Sequence, residues 1–433
     1  MSTPKFSVAI CRSGIAGLTA AIAISHFSSE KDIQVNIYEA AQEITEIGAG
    51  IGLYKRPRNV MNYLYFREHL ERLCEVPAVE DKSYLAFRMR KSNQQKGVPF
   101  YDTFTPMGTL LLHRIDFINT LVARLDSEII TSSPTAPITL AFKDGTTSTC
   151  DVLIAADGIH SATRHTMLEL AATDSEADGS EEGGGEAAKM LRGMVDPIWS
   201  GRVAYRALVP REKLEKINPN HSVIFTAQSY SGKSKHTIVF PISQGRLMNV
   251  VAFCSWPDKV GTIFEGKTVE DRSKEELLEL YAGWEEEVQK LLQVCLYNFL
   301  DCGRLLTIRT PWLPTGAGQA IEDAYILGAL LASPLTTLST LPISLKVYEE
   351  VRLPHGNAVQ QRSAGTGRLY EFDDPRFADL ANKELGEADK VTLSEIGDAA
   401  VELWKWAWTT DIEDDRSQAM ALLKERVEGR SSV

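Results

Sequence analysis

Several features are scarce in this chain. It has six cysteines in 433 residues, and none are spaced as CxxC. Cys11, Cys74, Cys150, Cys254, Cys295 and Cys302 are scattered, which fits reduced, mostly buried thiols and argues against a disulfide framework or a zinc site. Positive charge is in deficit: 46 Lys and Arg against 58 Asp and Glu give a formal charge of −12. A general nucleic-acid binder needs a basic face to neutralise phosphates, so no nucleic-acid partner is expected. No run reaches the ~20 apolar residues of a membrane span. The nearest, 326–345, is interrupted by Pro334 and Pro342. The N-terminus lacks the charged-then-apolar layout of a signal peptide, so a soluble, cytoplasmic protein is expected. There is no metal-ligand cluster, no Ser-His-Asp arrangement and no Walker loop. Oligomeric state is not legible.

What is present is an ordinary soluble composition, 44% hydrophobic and 24% charged. At roughly 150 residues per domain, the length suggests two or three core units. The first segment reads strand, tight turn, helix, strand. Phe6 to Ile10 is apolar, Gly14 and Gly17 mark the turn, Leu18 to Phe27 is Ala-rich, and Ile33 to Tyr38 alternates and ends at Glu39. A glycine run from Gly48 through Gly50 to Gly52 follows. Leu110 to Leu125 begins as a strand and becomes a helix. Ile138 to Phe142 and Thr146 to Cys150 flank Asp144-Gly145, a hairpin signal. Asp151 to Ala155 is a buried strand running into Asp157-Gly158. Residues 173–189 are acidic and Gly-rich and read as a solvated loop. From 199 to 255 short strands recur (Val203 to Val209, Ser222 to Ala227, His236 to Pro241, Met248 to Phe253), with turns at Ser231-Gly232 and Gln244-Gly245. That texture suggests an antiparallel sheet. Lys274 to Gln293 reads as an amphipathic helix pair. Gln319 to Leu331 is a helix opening after Gly316-Ala317-Gly318, and the tail from Glu384 is helical.

The turn Cys11-Arg12-Ser13-Gly14-Ile15-Ala16-Gly17 carries the second and third glycines of GxGxxG, with Arg12 where the first belongs. Such glycines permit a tight turn and let the backbone approach a diphosphate at a helix N-terminus. Glu39 lies 22 residues past Gly17, suited to a ribose hydroxyl. Arg114, at a strand-to-helix junction, is a candidate for a phosphate or adenosine edge. The bland alternative is a surface Arg beside the helix-start acid Asp116. Asp157 stands at the end of a buried strand, where open α/β sheets bind ligands, although Asp-Gly is also a common strand-end turn.

Together these segments carry a resemblance. The turn with Glu39, the Gly48 to Gly52 run, Leu112 to Phe117, Asp151 to Arg164 and Gly316 to Ala324 resemble the FAD-dependent aromatic-ring monooxygenases. Ser200 to Pro210 and Trp404 to Asp411 are similar to the fungal salicylate-hydroxylase-like subgroup. The resemblance covers nearly the whole chain. It implies an α/β fold, with a Rossmann-like FAD-binding domain, an antiparallel-sheet substrate domain and a helical tail. The implied boundaries are 1–75 and 110–172 for the FAD domain with 299–375 as its flavin-side segment, 76–109 and 190–298 for the substrate domain, 173–189 for the acidic loop and 376–433 for the tail. The implied flavin contacts are Gly14, Gly17, Glu39, Gly50, Gly52, Arg114, Asp157, Gly316 and Ala317. The implied reaction uses NADPH or NADH as transient reductant and molecular oxygen. A flavin C4a-hydroperoxide then hydroxylates a small phenolic or salicylate-like substrate, in a fungal secondary-metabolism setting.

A phenol reacts best as phenolate, so a cation near its oxygen should help. The resemblance implies an Arg of this strand facing the substrate, which makes Arg206 the expected catalytic residue; the alternative is an Arg on the outer face of the sheet. Strand alternation puts Arg202, Ala204 and Arg206 on one face, with Arg206 expected to be the more buried arginine. Tyr230 and His236 are further candidates for an acid/base group. The chain departs from the family pattern at 303–315, where the usual flavin-contacting Asp is missing and Arg309, Pro311, Trp312 and Pro314 stand instead. A second reading is therefore a weakened or inactive relative, or the product of a shifted reading frame, that lacks stable FAD and acts as a binding protein.

Overall fold

The computed structural model describes residues 4–28, 32–40, 50–74, 82–125, 138–142, 144–159, 161–177, 184–264, 269–295, 298–301, 304–305 and 315–430. The departure expected around Arg309 to Pro314 lies outside them, as do Gly48 and Ala49.

Apolar alternation in Phe6–Cys11 and Ile33–Tyr38 produces adjacent parallel strands, Phe6 opposite Ile33 and Cys11 opposite Tyr38. Val152–Ala155 joins on the other side, Val8 opposite Val152. The crossover between the first two strands is the helix Ile15–Phe27, buried along most of its length. It packs on a second apolar helix, Thr315–Ala332. A Cβ on Gly328 would sit 2.6 Å from the Cβ of Ala23, so glycine is what allows the helices this close. The glycine-led helix begins at Thr315, ahead of Gly316-Ala317-Gly318 rather than after it.

The second sheet has eight strands. Its order is Val269–Arg272, Asn298–Asp301, Arg202–Pro210, Leu247–Ser255, Lys235–Ile242, Gln228–Gly232, Ser83–Lys91 and Val98–Pro106. All neighbours are antiparallel except Gln228–Gly232 beside Ser83–Lys91. One face packs Val203, Tyr205, Val250 and Ala252 against helices Lys274–Leu280 and Glu286–Gln293. The other face presents Ala204, Val251 and Phe253 to Tyr54 and Trp404. The fold is α/β with an antiparallel substrate-type sheet and a helical C-terminal region.

Two local expectations are corrected. Residues 222–224 form a 3₁₀ turn, and the strand runs Gln228–Gly232, so Ser231-Gly232 ends a strand. His221 holds that turn in place, its Nε2 2.8 Å from the Glu287 carbonyl oxygen, a tertiary contact that overrides β-propensity. The acidic stretch is not simply a loop. Ala162–Ala177 is helical and Gly184–Gly193 is helical again. Arg192 pairs with Glu169 and Glu176 across the two helices, giving those acids partners.

A buried ionic network clamps the helices together. Glu322 Oε2 accepts from Arg56 Nε (3.2 Å) and Nη2 (3.0 Å) and from Arg352 Nη2 (3.2 Å). Asp415 Oδ2 accepts from both arginines, at 2.7 and 2.8 Å, and Asp323 takes Arg352 Nε at 2.8 Å. Arg56 also donates to Thr410 Oγ1 and the Asp411 carbonyl. Helices Lys55–Tyr63, Thr315–Ala332, Leu341–Tyr370 and Ile412–Arg430 all contribute. His355 beside them is kept neutral, pushed down to about 3 by burial first and the two arginines next. Removing one member of a buried ion cluster strands its partners. Glu322→Gln is therefore expected to lower the urea unfolding free energy by about 3 kcal/mol.

Candidate active site

The N-terminal turn is built at the carboxyl ends of Phe6–Cys11 and Val152–Ala155. Its first residue, Arg12, has φ +82°, a left-handed conformation that glycine adopts without strain. Arg12 is tolerated because its amide donates to the Tyr38 carbonyl at 2.7 Å and its Nη1 to the Asp157 carbonyl at 3.3 Å. Gly14 is the N-cap of Ile15–Phe27, with no side-chain cap, and a Cβ there would meet nothing within 4 Å. Gly17 is the opposite case: a Cβ would lie 2.1 Å from the Arg12 carbonyl oxygen. Glu39 closes the cradle, its Oε2 accepting from the Ser13 amide (2.9 Å) and hydroxyl (2.8 Å). An open helix terminus, a glycine-tight turn and a carboxylate at the next strand end fit the diphosphate and ribose of FAD.

The remaining expected contacts are spread around this cradle. Asp157 uses its carboxylate internally, accepting from the Thr163 amide (3.1 Å) and hydroxyl (2.8 Å). Burial opposes its ionisation, but hydrogen bonds from Ser161 and Thr163 win and hold its carboxyl below the usual range. Gly50–Leu53 pairs with Leu110–His113, placing Gly50 opposite His113 and Gly52 opposite Leu111. Arg114 follows immediately as the first residue of its helix. Gly50 also abuts the large sheet, since a Cβ would come within 2.8 Å of Asn249 and Phe240. Gly316 and Ala317 lie in the first turn of Thr315–Ala332, and Gly318 there approaches Pro57.

Arg206 occupies the face of the large sheet that looks toward Tyr54, opposite Val251 and Phe299. Arg202 and Ala204 share that face. The burial order is the reverse of the expected one: Arg202 is 9% exposed and Arg206 only half-buried. The reason is a buried carboxyl neighbour that sequence spacing does not show. Arg202 Nε lies 4.0 Å from Glu371 Oε2, at the end of the long helix Leu341–Tyr370. Glu371 also faces His236, 3.1 Å from its Nδ1, and both are fully buried. His236 stacks on Phe253 at 4.4 Å, so it is walled in. Tyr230 points to the opposite face, opposite Thr237 and packed with Tyr205, away from Arg206.

Sequence reasoning missed the aromatic wall over the sheet face that carries Ala204, Val251 and Phe253. Tyr54 meets Trp404 at 5.2 Å and Trp408 at 6.2 Å. These rings, with Phe87, Met89 and Tyr370, enclose a recess that holds about one water molecule. The i, i+4 spacing of Trp404 and Trp408 was the available signal, but not what it faces. Among the described residues no helix is long and apolar enough to cross a membrane, and no cluster of His, Cys, Asp and Glu is placed to hold a metal ion.

Relief of the left-handed strain makes Arg12→Gly stabilising by about 0.5–1 kcal/mol in thermal or urea unfolding. Gly17→Ala is expected to abolish flavin retention through gel filtration, because its methyl collides with backbone. Glu371 gives a pH signature. Burial first, against the opposing Arg202, pushes its carboxyl up to about 8 from 4.5. The folded chain thus keeps a proton that the unfolded chain releases, and the associated stability is lost as pH rises toward 8. His236 is shifted the other way, well below 6.5, by burial and then Arg202, so its opposing slope fades within about one pH unit above 6.5. Between pH 6.5 and 8 the urea midpoint of the wild type should fall, and that of Glu371→Gln should stay nearly level.

No protein-family model matches the chain. Whole proteins do. It is 28% identical to a salicylate hydroxylase of Pseudomonas putida, over 96% of this chain and 94% of that one. It is 27% identical to the 6-methylsalicylate 1-monooxygenase atA of Aspergillus terreus, over 99% and 95%. It is 26% identical to the FAD-dependent monooxygenase str9 of Strobilurus tenacellus, over 98% and 99%. Among solved structures, a salicylate hydroxylase in complex with substrate superposes with a TM-score of 0.73 at 26% identity, covering 96% of this chain and 98% of that one. An Arg-to-Gln variant of Klebsiella pneumoniae HpxO complexed with FAD shares the fold, with a TM-score of 0.63 at 18% identity over 91% and 99%. Over nearly its whole length, in sequence and in fold, the chain is similar to salicylate hydroxylases and FAD-dependent monooxygenases that act on aromatic rings.

Proposed function

We propose that this protein hydroxylates a phenolic or salicylate-like substrate, with FAD in the N-terminal cradle, NADPH or NADH as transient reductant and molecular oxygen as co-substrate. One observation carries the reading. The Gly50–Leu53 strand is paired within the FAD-side layer and packed against Asn249 and Phe240 of the large sheet. It therefore joins the cofactor cradle to the face that bears Arg206.

Each group has a task set by its chemistry. Gly14 and Gly17 leave backbone amides at a helix N-terminus for the diphosphate, and Glu39 can accept from ribose hydroxyls. Gly50, Gly52, Gly316 and Ala317 are the small residues that let backbone approach a flat ring, and Arg114 follows His113, the residue paired with Gly50. Arg206 supplies the cation that favours a phenolate oxygen over a phenol, making the ring a better nucleophile. Tyr54, Trp404 and Trp408 shut out water on the facing side. Bound FAD would supply the activation of oxygen and its delivery to the ring.

The purified chain is expected to be yellow and to consume NADPH or NADH faster when a salicylate-type phenol is added. A colourless protein that does not take up FAD would overturn the proposal. Arg206→Ala should retain flavin and lower kcat/KM by about 100-fold. Normal hydroxylation with normal coupling in that variant would remove Arg206 from the site.

A further inference from the structure

Arg12 is the first residue beyond the central strand of the parallel sheet, whose order is Ile33–Tyr38, Phe6–Cys11, Val152–Ala155. The two flanking strands end beside it, one running into Glu39 and the other toward Asp157. An arginine set between two carboxylates ordinarily pairs with one of them. Among the described residues, Arg12 pairs with neither. Glu39 is turned to the Ser13 amide and hydroxyl, and Asp157 to the Thr163 amide and hydroxyl. The Arg12 guanidinium meets the Asp157 carbonyl instead, Nη1 at 3.3 Å, and lies over Gly158, where an added Cβ would come 3.6 Å from Nη1. The side chain is otherwise exposed.

The charge around the cradle is therefore uneven. Glu39 and Asp157 are acids at its rim, and the chain as a whole carries −12. The diphosphate of FAD would bring further negative charge, against which a helix N-terminus offers only about half an elementary charge. Arg164, which follows Asp157 in sequence, is committed elsewhere, its Nη2 donating to the Ile159 and Val195 carbonyls. Arg12 is a cation at the cradle that has no carboxylate countercharge among the described residues.

We infer that Arg12 is a diphosphate clamp: its guanidinium takes the countercharge it lacks from the diphosphate of bound FAD, where a glycine would offer backbone alone. The inference rests on FAD occupying this cradle, and it names a residue that sets how tightly the cofactor is held. A guanidinium presents a planar fork of N–H donors that matches two phosphate oxygens, so charge and hydrogen bonding act together. Glycine would relieve the left-handed φ of +82° but would remove the cation. The rival reading is a side chain that crowds the diphosphate. The two give opposite signs for the same substitution.

The test uses the full chain stripped of flavin and titrated with FAD, the dissociation constant being read from quenching of flavin fluorescence. Arg12→Gly is expected to bind FAD about tenfold more weakly, the worth of one charge-assisted hydrogen bond, although its flavin-free urea midpoint rises. A weaker grip on the cofactor by a more stable chain is a combination that a merely structural role does not give. Arg12→Lys, which keeps the charge without the fork, should fall between the two. Wild-type affinity should also fall as KCl rises from about 0.05 to 0.5 M, more steeply than that of Arg12→Gly, because salt screens an exposed contact. Equal or tighter FAD binding by Arg12→Gly would overturn the clamp and make Arg12 an obstacle that the turn tolerates. So would parallel salt curves for the two proteins. Should Arg12→Gly fail to fold, Arg12→Gln, which keeps length and backbone strain without the charge, carries the same binding and salt expectations. Either refuting result leaves the FAD reading standing, since the wild type still binds FAD. A wild type that takes up no FAD would overturn that reading, and the clamp with it.

Discussion

Two arginines share one carboxylate where four helices meet. Glu322 lies in the second turn of the glycine-led helix, Arg56 in the helix that follows Gly50–Leu53, and Arg352 in the long helix toward Glu371. None of the three can leave its partners without exposing an unpaired charge to a low dielectric. That constraint fixes where the N-terminus of the glycine-led helix stands relative to the glycine strand. It also ties the tail to both, through Thr410, Asp411 and Asp415. The Trp404–Trp408 wall is held opposite Tyr54 as a consequence, since Tyr54 immediately precedes the helix that carries Arg56.

The two sheets have different physical characters. The parallel strands are short and buried, and their carboxyl ends collect glycines, a helix terminus and acids, a setting suited to a charged, extended cofactor. The antiparallel sheet hides one face under helices and offers the other as a wall. Burying Arg202 with Glu371 and His236 uses polar groups to tie that wall to the end of the long helix. Arg206, four residues on, is only half-buried. One strand thus carries two arginines of the same facing and different burial.

Much of this was legible from residue order. Apolar periodicity located the parallel strands and the crossover helix, because those signals are local. The glycine turn was legible for the same reason, down to Arg12 occupying a position where glycine would relieve a positive φ. Alternation put Arg202, Ala204 and Arg206 on one face, and the register agrees. The acidic stretch misled because its composition resembles a solvated loop, while Arg192 supplies the partner that allows helix there. The strand expected at Ser222 failed for a similar reason, as a buried His221 holds the turn from outside.

The sequence by itself determined the period of each element, which residues share a face, and where backbone must turn tightly. Those properties follow from φ/ψ sterics and side-chain alternation within a few residues. The tertiary structure decided which arginine is buried, which histidine is sealed, and which hydroxyls are left facing the recess. Arg202 meets Glu371, and Thr103 and Thr105 meet Trp404, across separations of well over a hundred residues. Burial, dielectric and hydrogen-bond satisfaction are properties of those assembled neighbours, so local order cannot carry them.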